Sequence, residues 1–377
     1  MAVLTYVRSC DRAVRDTRET RIDKQLIHSC TRLFLNARSQ SSTDPKDKIF
    51  AFQGSLHLLR IRFLAPDYSK PVVQVYVEAM ATSITHDKSL MILYALTGES
   101  LIHGLPPWVP DWSHNNAIME VASWSESSSK GHSRSKFRIS PNLMHITLRS
   151  KIIDSVRFKS ELPYPDPRHL EECEPGARQL ELKALQEWLN KFGNDRKMVK
   201  FLREFPRNAW IGTRDAAYLD LGFVPKHWVS SIQNIKGSTL YGYLDDHISS
   251  IPDQVKINKV TYKNIRTSVT RFYEILRTLL DRKTMFCTQC GKLGIGCRAL
   301  QEGDKIALFS GCNLPMVIRK TKLHWRIICP AYVQGVMHNR KAWSSSEFSL
   351  AEFVFECGAL YSSNAELASR RSGFYNV

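Results

Sequence analysis

The chain has 377 residues, of which 43% are apolar, and its 53 basic and 36 acidic residues give a formal net charge of +17. This length suffices for about two or three domains. The longest uninterrupted apolar run, Leu90 to Leu96, is far shorter than the ~20 residues of a membrane-spanning helix, and no signal-peptide core is present, so we predict no membrane span. The nine scattered cysteines favour reduced thiols in a cytoplasmic protein.

The stretch DPKDKIFAFQG predicts the first helix that we assign. Asp44 is a capping residue, Pro45 fits the first helical position, and Asp47 places an acid in the first turn. Gly54 is expected to end the helix in the left-handed conformation. Lys48 is expected to form at most a weak ion pair with the neighbouring acids.

A turn at Pro66, Asp67 and Tyr68 precedes a second predicted helix. Ser69 is expected to cap this helix, and Pro71 follows closely. The apolar residues after Pro71 recur approximately every 3.6 positions, which indicates one buried face.

The stretch LPPWVPDWS follows a Gly-bounded loop. Its prolines exclude a helix and a central strand, so we predict an extended segment. Two interpretations are open, a groove that grips a ligand and a clamp that holds the fold. We favour the clamp, in which Pro110 and the other prolines hold the chain extended while Trp108 and Trp112 pin it to the helices. Asp111 is expected to accept hydrogen bonds near Trp112.

The central region changes character several times. A serine-rich loop is predicted at 123–136, and short strands at 137–140, 143–148 and 151–158. A proline-rich linker at 161–176 follows.

Helical spacing returns after this linker. It occurs at 182–205, with a break at Gly193 and Asn194, and again at 262–282. The residues 207–258 allow no assignment.

The stretch 285–337 alternates short apolar runs with turn signals, including those at Gly303, Asp304, Gly311 and Pro315. It predicts a small barrel or curled sheet, which would remove exposed strand edges. The strands are expected near 285–289, 305–310, 314–319, 324–328 and 331–336. The last forty residues are expected to be poorly ordered, apart from FSLAEFVF.

The predicted fold class is α+β, with a helical N-terminal half, a mixed centre and a small C-terminal β-barrel-like module. The predicted segments are a helical region at 1–122, a flexible polar loop at 123–136, a mixed region at 137–283, the β module at 284–340 and a tail at 341–377.

A family resemblance rests on motifs that occur in a fixed order. The stretches TDPKDKIFAFQG, APDYSKPVVQVYVEAM and LPPWVPDWS resemble the region that follows the HET domain in fungal heterokaryon incompatibility proteins. MFCTQCGKLGIG, EGDKIALFSGCNLPMVIR and AYVQGVM resemble the last strands of that family, so the resemblance covers residues 30 to 340. The matching motif residues are Asp44, Pro45, Asp47, Lys48, Gly54, Pro66, Asp67, Tyr68, Trp108, Pro110, Asp111, Trp112, Gly303, Asp304, Gly311 and Pro315.

The chain also departs from the family pattern. No YxALSYxWG-like segment, which marks the HET domain, is present, and His338 and Asn339 stand where the family has Gly and Glu. We therefore expect a truncated family member. The HET domain is thought to be distantly similar to TIR domains and to signal cell death. The resemblance accordingly implies a non-enzymatic regulatory or recognition region in self/non-self recognition, with protein partners, no cofactor and no specified oligomeric state.

A zinc site is a less favoured interpretation. The cysteines that suggest it are Cys287, Cys290, Cys297 and Cys312. Zinc needs four ligands, and only one CxxC pair occurs, so His324 or Cys329 would have to help. In a strand, Cys287 and Cys290 would point to opposite faces, unlike a zinc knuckle.

Catalytic motifs are absent from the sequence, which has no GxSxG elbow, P-loop or HExxH pair. The GKLGIG stretch is better explained by turn glycines than by a dinucleotide loop. The four acids Asp44, Asp47, Asp67 and Asp111 each have a local role as a cap, first-turn acid, turn former or acceptor. We therefore predict no enzymatic activity.

A basic block provides the alternative function. Residues 255–327 hold 15 Lys and Arg against four acids, a net charge of +11. Such a block is able to hold phosphates, so nucleic-acid binding is the alternative, although a solvated surface explains the charge equally simply. A redox or zinc module that uses the cysteines is a third hypothesis.

Overall fold

A computed structural model describes the chain at residues 30–37, 42–58, 61, 63, 65–113, 135–163, 175–192, 195–209, 254–257, 260–263, 280, 282–322, 324–336 and 350–356. Several predicted features lie outside these residues. They are most of the 123–136 loop, the break at Gly193 and Asn194, most of the helix predicted at 262–282, the His338 and Asn339 pair, and the tail apart from residues 350–356.

The described helices lie mostly in the N-terminal half. They are α1 (Cys30–Ala37), α2 (Asp47–Phe50), α3 (Gln53–Leu58), α4 (Val72–Asp87), α5 (Pro175–Phe192) and α6 (Asp195–Ala209). A short 3₁₀ helix at Met91–Ala95 follows α4. None of these helices has the length and apolarity needed to cross a membrane.

The described strands concentrate in the C-terminal part of the chain. They are β1 (Phe137–Ile139), β2 (His145–Lys159), β3 (Gln254–Ile257), β4 (Val260–Lys263), β5 (Lys283–Thr288), β6 (Leu293–Cys297), β7 (Lys305–Phe309), β8 (Met316–Lys320), β9 (Trp325–Pro330), β10 (Tyr332–Val333) and β11 (Leu350–Glu356). This mixed content agrees with the predicted helices in the N-terminal half and strands toward the C-terminus.

The first predicted helix is two short helices. It begins at Asp47 after Lys46, so Asp44 is not its N-cap and Pro45 is not its first residue, and Gly54 does not end it. The prediction of a left-handed Gly54 is wrong, because Gly54 lies inside α3 and is not among the glycines with positive φ. Phe52 and Leu56 are both buried, and the amide of Leu56 donates to the carbonyl of Phe52 at 2.8 Å. Burial of these apolar side chains therefore favours continued helix at the position where the sequence suggested a stop.

The start of α4 also differs from the prediction. Pro71, not Ser69, is the N-cap residue, and it makes no side-chain cap bond. Ser69 instead donates through its amide and its hydroxyl to Asp67 Oδ1, at 3.0 and 2.6 Å. Asp67 thus holds the turn before the helix, and Pro71, which has no N–H, leaves no donor unsatisfied.

Strand β2 is the centre of the sheet. The two strands predicted at 143–148 and 151–158 are one strand of 15 residues. Its register shifts between Ile152 and Asp154 against β7, and between Val156 and Phe158 against β5. Such irregularities let a strand bend and change partners, which is why one strand replaces two.

The strands form a nine-stranded sheet rather than a clear barrel. The main path runs β10-β6-β5-β2-β11-β9-β8-β7, while β1 joins β2, and β7 also pairs with β2. The pairings from β2 through β11, β9, β8 and β7 therefore return to β2, but the link between β11 and β9 is a single parallel residue pair. Strands β3 and β4 form a separate hairpin.

The prediction that the GKLGIG glycines are turn residues is correct only for Gly291, which has φ +74°. Gly294 and Gly296 lie within β6. A Cβ on Gly294 would approach the Phe286 ring to 2.3 Å, so glycine is needed here for close packing of the ring against the neighbouring strand.

The helices and the sheet share one apolar core. Its buried members run from Cys30 in α1 to Phe355 in β11 and include the 3₁₀ helix and both tryptophans of LPPWVPDWS. A smaller cluster around Phe286 and Ile328 lies within the sheet. The sheet itself crosses the predicted boundaries at 283 and 340, because β2 and β11 are integral strands.

Tyr94 joins the 3₁₀ helix to the loop between β7 and β8. Its hydroxyl is buried and accepts the amide N–H groups of Asn313 and Leu314 at 2.6 and 3.2 Å. Burial raises the pKa of Tyr94 well above its usual range. A buried amide that loses its acceptor retains the full cost of its desolvation.

We expect Tyr94→Phe to lower the free energy of unfolding by about 1–3 kcal/mol, because it leaves two backbone donors without this acceptor. Denaturant titration of the purified chain measures the change. Tyr68→Phe is the control, since Tyr68 is 53% exposed and its hydroxyl donates to Asp47 at the surface. An equal loss in both variants would contradict the assignment.

Candidate functional site

The segment LPPWVPDWS lies in the shared core between the helices and the sheet. Trp108 is completely buried, and its Nε1–H donates to the carbonyl of Met144, just before β2, at 3.3 Å. The Trp112 ring lies 5.8 Å from the Phe34 ring of α1. The segment therefore contacts the sheet through one tryptophan and a helix through the other. Pro110, between them, is also buried.

Asp111 organises the loop around this segment. One carboxylate oxygen accepts hydrogen bonds from the Ser100 hydroxyl and the Leu101 and Ile102 amides, at 3.1, 2.8 and 3.3 Å. The other accepts from the amide and hydroxyl of Ser113, at 2.9 and 2.5 Å. Burial pushes the pKa of Asp111 upward, but the combined hydrogen bonds outweigh it and hold the pKa below its usual value.

A glycine and an ion pair bring the loop after the 3₁₀ helix against the sheet. Gly98 has φ +74°, and a Cβ there would approach the Cβ of Ala299 to 2.7 Å, so the position requires glycine on both counts. The guanidinium of Arg298 donates to both carboxylate oxygens of Glu99 at 2.8 to 3.0 Å. This forked geometry fixes the orientation of the two groups.

The other N-terminal motif residues form a second group at the surface. Asp44 Oδ1 accepts the Lys46 amide at 2.8 Å, and the Tyr68 hydroxyl donates to Asp47 Oδ1 at 2.5 Å. The Lys46 ammonium donates to the Tyr68 carbonyl at 2.7 Å and lies 5.9 Å from the centre of its ring. Sequence reasoning missed Lys46 because it singled out Lys48, which lies half-buried in α2.

Two other motif prolines lie close to this group. Pro45 is half-buried just before α2, and its carbonyl accepts the Tyr76 hydroxyl of α4 at 2.8 Å. Pro66 is exposed in the turn that holds Asp67. Pro45 therefore precedes α2 and contacts α4, whereas Pro66 lies in the connection that leads into α4, and the fixed φ of proline suits a turn at both positions.

The C-terminal motif residues hold turns of the sheet. Gly303 and Gly311 have φ of +86° and +83°, which glycine adopts without strain. Asp304 is buried, and both its oxygens accept from the Arg319 guanidinium at 2.7 and 2.8 Å. The buried Pro315 offers its carbonyl to the Ala331 amide at 2.9 Å.

The structure does not gather the four cysteines considered for zinc. Cys287 and Cys312 belong to the large core, Cys297 packs against the smaller cluster, and Cys290 is exposed. Burial raises the pKa of Cys312 to about 12 and also raises that of Cys287. The Cys297 amide donates to the sulfur of Cys329 at 3.3 Å, a pairing across β6 and β9 that its wide sequence separation concealed.

Within the described residues, one group of side chains has the composition and spacing of metal ligands. It consists of Cys30, His86 and Asp87, whose ligand atoms all lie within 4.8 Å of one another. No sequence motif indicates this group, because its cysteine is separated from the adjacent histidine and aspartate by more than fifty residues.

We expect Trp108→Ala to lower the free energy of unfolding by about 3–5 kcal/mol, because it empties a fully buried site. Thermal and denaturant unfolding measure the loss. Leu101→Ala is the control on the neighbouring loop, because Leu101 is 78% exposed, and it should change the free energy of unfolding by less than about 0.5 kcal/mol. An unchanged melting temperature in Trp108→Ala would favour the ligand-groove interpretation instead.

We expect Asp111→Asn to lower the free energy of unfolding by about 1–3 kcal/mol at pH 7. Both carboxylate oxygens of Asp111 accept hydrogen bonds, whereas the NH2 group of an asparagine side chain cannot accept any. The folded pKa is depressed, so the advantage of the native carboxylate is present above the unfolded pKa of about 3.9. The difference between native chain and variant should narrow as the pH falls below this value. Urea titrations at several pH values measure it.

Asp67→Asn is the matched control for this prediction. Asp67 accepts the same two bonds from a serine two residues on, but at the surface. Its substitution should cost less than that of Asp111. Equal losses of unfolding free energy in the two variants would show that burial of Asp111 does not determine the size of the loss.

Comparison with known families identifies part of the chain. Residues 221–347 match the model of the Het-6 beta-barrel domain. No curated protein and no solved structure matches the chain. The match includes β3 to β10, whereas β1, β2 and β11 lie outside it. This domain is a HET-associated family, and its match over residues 221–347 fits a region of a HET family protein.

Proposed function

We propose that the chain is a non-enzymatic regulatory or recognition region of a HET-type heterokaryon incompatibility protein. In this role it acts in the fungal cytoplasm, in self/non-self recognition, through contacts with other proteins. The observation that carries the proposal is the Het-6 beta-barrel domain at residues 221–347. The order of the helical motifs before this domain supports the same family role.

The hydrogen bonds of the motif acids support a recognition role rather than a catalytic one. The carboxylates of Asp67, Asp111 and Asp304 accept hydrogen bonds from their own loops or from a neighbouring arginine. Bonds of this kind fix backbone turns, and they account for these acids without a substrate. The acids therefore hold loops of the fold in place, a role that a recognition module uses and that needs no catalysis.

The contacts of two basic residues weaken the nucleic-acid alternative. Arg319 forms an ion pair with the buried Asp304, and Arg298 forms a two-pronged ion pair with Glu99. Phosphate contacts need cations that are free to reach the nucleic acid. Two positive charges of the basic block therefore form ion pairs within the fold.

A heterokaryon viability assay tests the proposal. The full chain is expressed in fungal strains of several compatibility groups, which are then paired in all combinations. We expect expression to reduce the fraction of viable heterokaryons in some pairings and not in others. Trp108→Ala should abolish the effect because it disrupts the shared core, and Leu101→Ala should retain it.

Equal viability in every pairing, with the protein present at normal levels, would contradict the recognition role. The alternative is measured separately, by titrating labelled duplex DNA at several salt concentrations. Binding that weakens steeply with salt, together with unchanged viability, would favour nucleic-acid binding instead.

A further inference from the structure

Helices α1 and α4 meet at a cluster of three ligand-type side chains. Cys30 is the first residue of α1, and His86 and Asp87 are the last two residues of α4. The Cys30 sulfur lies 3.8 Å from His86 Nδ1, which lies 2.9 Å from Asp87 Oδ1. Three potential ligand atoms therefore converge on one point between two helix ends.

The sulfur–nitrogen and nitrogen–oxygen distances are close to those of a zinc site, and the sulfur–oxygen distance is within 4.8 Å. Zinc bonds of about 2.3 Å to sulfur and about 2.0 Å to nitrogen or oxygen place tetrahedral S and N ligands roughly 3.6 Å apart. The observed separation of 3.8 Å is similar. The nitrogen and oxygen atoms need to separate by only about 0.4 Å to reach tetrahedral spacing.

The chemistry of the three ligands selects the type of ion. Thiolate, imidazole and carboxylate together suit zinc and similar transition ions, whereas calcium and magnesium prefer oxygen ligands alone. The Cys30 residue is fully buried, while the His86 side chain is 39% exposed. The histidine is therefore the ligand of this partly enclosed group that solvent reaches.

The backbone of α1 already orients one of the ligands. The amides of Cys30 and Thr31 donate to the two oxygens of Asp87, at 3.1 and 2.8 Å. Bonds of this kind hold a ligating carboxylate in place in metal sites. Asp87 thus caps the helix and is held in position beside the other two ligands.

We propose that Cys30, His86 and Asp87 form a site for a zinc-class divalent transition ion, with a fourth position for water. The ion would join α1 to the end of α4, two helices that already pack in the shared core. This site is independent of the proposed recognition function, and it contains none of the four cysteines from the strand region.

Coordination requires a proton to leave. A cysteine coordinates such an ion as the thiolate, so the Cys30 thiol releases its proton on binding. When the ion binds, the S–H bond breaks, the sulfur lone pair forms the metal bond, and the proton passes to solvent. His86 coordinates through the lone pair of an Nδ1 atom that carries no proton.

Metal titration of the full chain tests the site. The native protein is stripped with chelator and titrated with Co²⁺ while the near-ultraviolet thiolate charge-transfer band is recorded, and zinc is then counted after dialysis. We expect one ion per chain and a melting temperature that rises with metal concentration. His86→Ala should weaken binding at least about tenfold, and Cys30→Ser should remove the thiolate band.

Matched variants separate this site from others on the chain. His57→Ala removes an exposed helical histidine, and Cys290→Ser removes an exposed cysteine of the strand region. Both should bind like the native chain. Because His86 is part-exposed, its variant should stay folded even if Cys30→Ser does not. Absence of binding, or equal binding in His86→Ala and the native chain, would overturn the proposal.

Discussion

The structure depends on satisfying polar groups at the buried contact between the N-terminal helices and the sheet. The Tyr94 hydroxyl accepts two amides of the loop before β8, and the Trp108 indole donates to a carbonyl before β2. Both side chains are almost completely buried. Burial of their rings stabilises the fold, and the hydrogen bond of each polar atom avoids the cost of burying that atom without a partner. Together they fix the position of the helices on the sheet.

Local sequence rules predicted the features that depend on neighbours in the chain. The prolines and tryptophans of LPPWVPDWS indicated a rigid buried segment, and Asp111 was identified as an acceptor. Gly54 shows the limit of such rules, because helix α3 is held by burial of Phe52 and Leu56, contacts that no single residue signals. Strand β2 shows the same limit, since its bulges arise from pairing with strands more than a hundred residues away.

The candidate metal sites show the same contrast between a local sequence motif and contacts that form only on folding. The CxxC spacing of Cys287 and Cys290 suggested zinc, but β5 ends at Thr288, so Cys287 is buried in the strand while Cys290 is exposed in the turn after it. The group of Cys30, His86 and Asp87 has no sequence pattern, because it forms only when the start of α1 meets the end of α4. Ligand groups built across two helices become visible only once the packing is known.

The sheet extends beyond the region that matches the Het-6 beta-barrel domain. Strand β2 precedes the matched residues, yet it pairs with β5, β7 and β11. Without β2, the edges of β5 and β7 that now pair with it would present unpaired backbone groups, and such edges invite association with other chains. The Het-6 beta-barrel domain therefore relies on the preceding chain for its central strand. The same chain supplies Trp108, whose indole is bonded just before that strand. The ordered motifs and the domain are thus parts of one folding unit, which gives a physical reason for their occurring together.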